Sequence, residues 1–173
     1  LENIQTGTAI DLAAGTDALN LAAGTNSVTV SNTETVTGNT GADTVTLATT
    51  VSGATIDLAA GADALTLAAG TNSATVSNTE TITGNTGADT VTLGTVLTTG
   101  NTVDLAAGTD ALNLAAGTNT ATISNTETIT GTASADTLTL ENIQTGTAID
   151  LAAGTDALNL AAGTNSATIS NTE

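Results

Sequence analysis

The chain has 173 residues, with 17 Asp plus Glu and no Lys, Arg or His, giving a formal net charge of −17. It also has no Pro, Cys, Met, Trp, Tyr or Phe. That alphabet excludes disulfides and thiol-based metal or redox sites, lacks the basic side chains that neutralise nucleic-acid phosphates, and is repelled by anionic membrane surfaces. No apolar run approaches the roughly 18 residues of a membrane helix, so neither nucleic acid nor membrane insertion is expected. High net charge without aromatics is also the signature of disorder. Opposing it, 39% of the residues are hydrophobic and 43 are Thr, a β-branched composition that suits strands. Leu and Ile are the largest apolar residues, so the core is thin and is expected to be built from stacked layers.

Taken in chain order, alternating apolar pairs mark strands at Ile10/Leu12, Leu19/Leu21, Val28/Val30 and Val45/Leu47, with a weaker strand around Val36. Period-two alternation is the mark of a strand with one face buried. Between them lie Ala14-Gly15-Thr16-Asp17, Ala23-Gly24-Thr25-Asn26, Ser31-Asn32-Thr33-Glu34 and Thr40-Gly41-Ala42-Asp43, sequences that favour tight turns. The pattern restarts at Ile56, Val103 and Ile149, defining units 10–55, 56–102, 103–148 and a partial 149–173. Residues 1–34 return at 140–173 with two changes, Val28 to Ala167 and Val30 to Ile169, an offset of 139 residues. The whole chain, 1–173, therefore reads as one continuous array and as an excerpt of a longer one.

Strands of four or five residues at a step of about nine, with similar turns, predict an all-β, right-handed parallel β-solenoid. The step favours a flattened β-roll of about 18 residues per coil, in which each unit makes two and a half coils. If Val51 founds a sixth strand, the alternative is a triangular coil of about 23 residues. A meander or sandwich of hairpins is the competing fold, and repetition this close is rare among such proteins.

The segment Gly38-Asn39-Thr40-Gly41-Ala42-Asp43-Thr44-Val45-Thr46 and its copy from Gly84 to Thr92 resemble the nonapeptide of hemolysin-type (RTX) repeats, Gly-Gly-x-Gly-x-Asp-x-aliphatic-x. Asn39 and Asn85 replace the second Gly. A third copy, from Gly131 to Thr139, also lacks the middle Gly, where Ser134 stands. A second series keeps only Gly-x-Asp, at Gly15/Asp17, Gly61/Asp63, Gly108/Asp110 and Gly154/Asp156, and a third has Asn26, Asn72, Asn119 and Asn165 in place of the acid. The resemblance implies exported bacterial surface-layer, adhesin or toxin proteins, with Ca²⁺ held between stacked turns by Asp carboxylates and backbone carbonyls. The implied ligands are Asp43, Asp89, Asp136, Asp17, Asp63, Asp110 and Asp156. An Ala at a left-handed position would be strained, so some turns are expected to have a metal-free geometry.

Electrostatics points to cations independently. Like charges on turns about 4.8 Å apart repel by roughly 3.5 kcal/mol at an effective dielectric of 20, and Ca²⁺ takes the oxygen ligands this chain offers. Asp11, Asp57, Asp104 and Asp150 lie between two inward aliphatics and are expected to point outward into solvent. Glu34, Glu80, Glu127 and Glu173 each follow Ser-Asn-Thr and read either as ligands or as metal-free turn closures.

Without His, Cys, Lys, Tyr or Arg, only paired carboxylates remain for catalysis. Each acid recurs in nearly identical surroundings, so the chain is not expected to be an enzyme. Two readings remain. One is the repetitive shaft of an extracellular bacterial filament, surface layer or adhesin stalk, self-associating by coil stacking or lateral packing. The other is an ice-binding solenoid that displays Thr-x-Thr pairs such as Thr35/Thr37, Thr44/Thr46 and Thr81/Thr83.

Overall fold

The computed structural model describes residues 1–172, so the reading of Glu173 lies outside the described residues. The first unit supplies β1 (Thr8–Asp11), β2 (Ala18–Asn20), β3 (Ser27–Ser31), β4 (Thr35–Thr40) and β5 (Thr44–Leu47). The second supplies β6 (Ser52–Ala60), β7 (Ala64–Thr66), β8 (Ser73–Ser77), β9 (Thr81–Thr86) and β10 (Thr90–Leu93). The third supplies β11 (Asn101–Ala107), β12 (Ala111–Asn113), β13 (Thr120–Ser124), β14 (Thr128–Thr130) and β15 (Thr137–Leu140), and the partial fourth β16 (Thr145–Asp150), β17 (Ala157–Asn159) and β18 (Ser166–Ser170).

Odd-numbered strands form one nine-stranded sheet and even-numbered strands another, every pairing parallel. The fold is thus a β-solenoid with two strands per coil. Hydrogen bonds between neighbouring coils link residues 17 or 20 to 22 apart in sequence. The triangular alternative is not what forms. Val51 is buried, but it lies on the connection just before β6, where its carbonyl accepts the Ser73 N–H at 2.9 Å.

Each strand alternates inward aliphatics with outward Thr, Ser, Asn or Asp, and the inward residues stack in register from coil to coil. One column of the odd sheet runs Val28, Val45, Leu65, Ile82, Val103, Ile123, Leu140. One of the even sheet runs Val91, Leu112, Ile129, Ile149. These chains are almost fully buried and form one continuous core. Burial of one aliphatic side chain is worth about 1.5–3 kcal/mol, so the core is thin in each coil and substantial along the stack.

Five strands per unit is an odd number, and this has a geometric result. The strand of Ile10 lies in one sheet, that of Ile56 in the other, that of Val103 back in the first and that of Ile149 in the second. Every feature of the unit is therefore displayed alternately on the two faces and the two edges of the roll.

Candidate functional site

The residue just before most strands, and Gln5 and Leu97 a few residues ahead of β1 and β11, lie at the edges of the roll and form hydrogen-bonded ladders. In the first, Gln5 N–H donates to Asn26 Oδ1 at 3.0 Å, Asn26 N–H to Asp43 Oδ1 at 2.9 Å, Asp43 N–H to Asp63 Oδ1 at 2.6 Å, and Asp63 N–H to Glu80 Oε2 at 2.7 Å. The second repeats it through Val51, Asn72, Asp89, Asp110 and Glu127, with donor–acceptor distances of 3.2, 2.9, 2.7 and 2.8 Å. A third runs Leu97, Asn119, Asp136, Asp156, and shorter pieces join Asp17 N–H to Glu34 and Gln144 N–H to Asn165. The first and third ladders precede strands of the odd sheet, the second precedes strands of the even sheet, so they climb opposite edges.

All seven aspartates expected as ligands stand in these ladders, and six of them are buried, Asp17 being half-buried. One carboxylate oxygen of each accepts a backbone N–H where such a donor lies in the neighbouring coil. The other oxygen, Oδ2, is buried without a hydrogen-bond partner in all seven. A buried carboxylate oxygen with no donor is a costly state unless a proton or cation meets it. Burial pushes Asp63 and Asp110 up from the ordinary carboxylate range. The N–H groups of Asp43 and Asp89 oppose this, while the charges of Asp43 and Glu80 on Asp63, and of Asp89 and Glu127 on Asp110, reinforce it.

These orphaned oxygens fit one part of what Ca²⁺ needs. Each turn offers a single free carboxylate oxygen, with backbone carbonyls as its neighbours in sequence. Among the described residues no three acidic side chains converge where they could share an ion. A cation here would lean on carbonyls for most of its six to eight oxygens.

The turns that carry the ladders differ behind a shared motif. Gly41 has φ +119, and a Cβ there would lie 2.6 Å from the backbone carbon of Gly24. Gly61, in the next coil, does not have a positive φ. Its missing Cβ instead leaves room for the Gly41 carbonyl oxygen, 2.3 Å from where that Cβ would be. In the Gly61 turn the left-handed residue is Ala59 at φ 67, repeated at Ala13, Ala106 and Ala152. In the third copy of the nonapeptide, where Ser134 replaces the middle Gly, no positive φ is present at that position. The preceding strand β14 has three residues where β4 and β9 have six. Asp136 still makes both ladder bonds, so the ladder does not need that Gly.

Of the outward aspartates Asp11 and Asp150 are exposed and Asp57 and Asp104 half-buried, and they are not merely solvated. Asp11 Oδ1 accepts the Ala13 N–H at 2.9 Å and Asn32 Nδ2–H from the next coil at 2.7 Å. Asp57/Asn78, Asp104/Asn125 and Asp150/Asn171 repeat the second bond. The Ala13 bond and then the Asn32 bond hold Asp11 below the ordinary carboxylate range. For Asp150 the Asn171 bond leads and that of Ala152 follows. These asparagines are themselves left-handed, with φ of 48–52, a conformation Asn tolerates. Of the Ser-Asn-Thr-Glu turns, Glu34, Glu80 and Glu127 close the ladders through Oε2.

Sequence reasoning missed Gln5, Asn26 and its copies as ladder members, and Asn32 and its copies as corner braces. The available signal was the recurrence of Asn four residues after an Ala-Ala-Gly start and of Asp two residues before each left-handed Ala. A scan against protein-family models and searches of curated proteins and solved structures returned no match.

Proposed function

We propose that this chain is the repetitive shaft of an extracellular bacterial filament, surface layer or adhesin stalk, with Ca²⁺ lodged at the buried turn aspartates. The observation that carries the shaft reading is the uniformity of the roll. Each unit repeats the same inward aliphatic pattern and the same kind of edge ladder, on alternating edges, and each acid recurs from unit to unit. Length is the property such a design delivers. Near-identical acids in near-identical settings also argue against an enzyme.

The calcium part rests on the seven orphaned Oδ2 atoms, the absence of any basic side chain to meet them, and the likeness of Gly38–Thr46 to the RTX nonapeptide. Elemental analysis of protein dialysed against trace Ca²⁺ is expected to find calcium retained in fixed ratio to protein. Metal-free protein of unchanged stability removes this part and leaves the shaft. For the shaft, antibody raised against the repeat and imaged by immunogold electron microscopy is expected to decorate projections or an even coat on the producing cell. Label confined to the cell interior overturns it.

One observation favours the ice-binding reading as a second possibility: Thr ranks stack in register. Thr29, Thr46, Thr66 and Thr83 form one on the odd sheet, and Thr35, Thr55, Thr75 and Thr92 another on the even sheet. The pairs Thr44/Thr46 and Thr81/Thr83 share a face, whereas Thr35/Thr37 lies on the opposite one. Absence of ice-recrystallisation inhibition at micromolar protein ends this reading.

A further inference from the structure

The net charge of −17 is unevenly spread over the roll. Most carboxylates lie in the edge ladders, and the strand that opens each unit carries one outward acid, with Glu141 just past β15, beside Ser124, a further exposed acid in the third unit. On the odd sheet Asp11 and Asp104 bracket β3, β5, β7 and β9, whose outward residues are Ser27/Thr29/Ser31, Thr44/Thr46, Ala64/Thr66 and Thr81/Thr83. On the even sheet Asp57 and Asp150 bracket β8, β10, β12 and β14, which are likewise uncharged outward. Each window is four strands, about 19 Å at the parallel strand spacing. The odd strand count staggers the two faces by half a period, about 12 Å.

We infer that these uncharged threonine windows are the surfaces on which a second copy of the solenoid docks laterally, face to face, with the single face aspartates fixing the register. This rests on the shaft reading, whose self-association it locates. A chain this acidic meets its own copy most easily where neither partner presents charge. The windows supply that, with Thr methyls to bury and hydroxyls to pair across a flat surface. Both faces of one molecule carry the same window, so docking can continue from copy to copy into a layer. Registers that set Asp57 or Asp150 against Asp11 or Asp104 are penalised by like-charge contact. The favoured stagger places each aspartate over a window.

The test is small-angle X-ray scattering with sedimentation velocity on the whole chain across a concentration series, near-physiological salt against low salt. The expected result is an increase in mass per unit length that passes a factor of about two with rising protein concentration, strengthened as salt screens residual repulsion. T46E/T83E places carboxylates on outward positions of the odd-sheet window and is expected to stop association at pairs docked through their even-sheet windows, while leaving far-UV circular dichroism and the melting temperature unchanged. The conservative T46S/T83S is expected to keep the full increase. Growth in length at constant cross-section, a monomer at every concentration, or equal association of T46E/T83E each overturns the proposal. Inhibition of ice growth by a strictly monomeric rod assigns the windows to ice instead. None of these outcomes bears on where immunogold label lies, so the shaft reading stands or falls separately.

Discussion

Gly41-Ala42-Asp43 and Gly61-Ala62-Asp63 are the same three letters on adjacent coils, and they work differently. In the first, Gly41 is left-handed and must also let Gly24 approach. In the second, Ala59 takes the left-handed role, braced by Asp57 Oδ1 accepting its N–H at 3.0 Å, and Gly61 leaves room for the Gly41 carbonyl and for Asp63 Oδ1. The motif is therefore a packing constraint between coils as much as a turn formula. Both turns deliver an aspartate to the same ladder, Asp43 N–H donating to Asp63 Oδ1.

Substitutions should separate the two turns. Gly41→Ala combines left-handed strain with a backbone clash and is expected to destabilise the roll by about 3 kcal/mol or more. Gly61→Ala, with the clash alone, should lose about 1–3 kcal/mol. Chemical denaturation of both reads the difference, and equal losses would mean that strain at Gly41 is absorbed. Asp57→Ala removes the brace of Ala59 and the bond from Asn78 Nδ2, a loss of about 1 kcal/mol. Smallest of all, Ala59→Gly should be neutral or stabilising by up to about 1 kcal/mol, because relief of strain outweighs the added backbone freedom. Clear destabilisation by Ala59→Gly would mean that Ala59 is not strained.

A pH series extends the comparison to the ladder. Asp63 and Asp110 are raised above the ordinary range, so the folded state holds protons there that the unfolded chain has released. Their contribution is present at low pH and lost as pH rises through the folded values. In EDTA the melting temperature is therefore expected to be higher at about pH 5 than at about pH 8. Asp11 and Asp150, lowered in the fold, act in the opposite sense and only at more acidic pH, where their stabilisation is lost. A flat profile between the two conditions would show that the Asp63 carboxyl is not desolvated in solution.

Much of this was legible in the residues. The nine-residue step and inward aliphatics predict the two-sided roll, and Gly-x-Asp predicts where the buried acids sit. The strand at Val36 reads as weak because its second inward residue is Gly38. A Cβ there would lie 2.2 Å from the Leu58 carbonyl oxygen, a requirement visible only once coils are stacked. Val51 mimics a strand start because it is inward and aliphatic, yet its neighbours complete no third sheet. The ladders were illegible for the same reason. Asn26 and Asp43 are not local partners, and nothing near Asn26 says that a side chain 17 positions away accepts its N–H.

The most direct test of the central claim, that the orphaned carboxylate oxygens at the edges of the roll are cation positions, is thermal melting followed by far-UV circular dichroism at neutral pH. One sample is held in EDTA and one in millimolar Ca²⁺. A ligand that binds only the folded chain raises its stability by about 2.7 kcal/mol at one hundred times its dissociation constant. A substantial upward shift in Ca²⁺, lost when Asp43, Asp89 and Asp136 are all changed to Asn, is the predicted result. Superimposable melts with and without Ca²⁺ would contradict it and leave the ladders as metal-free hydrogen-bonded seams.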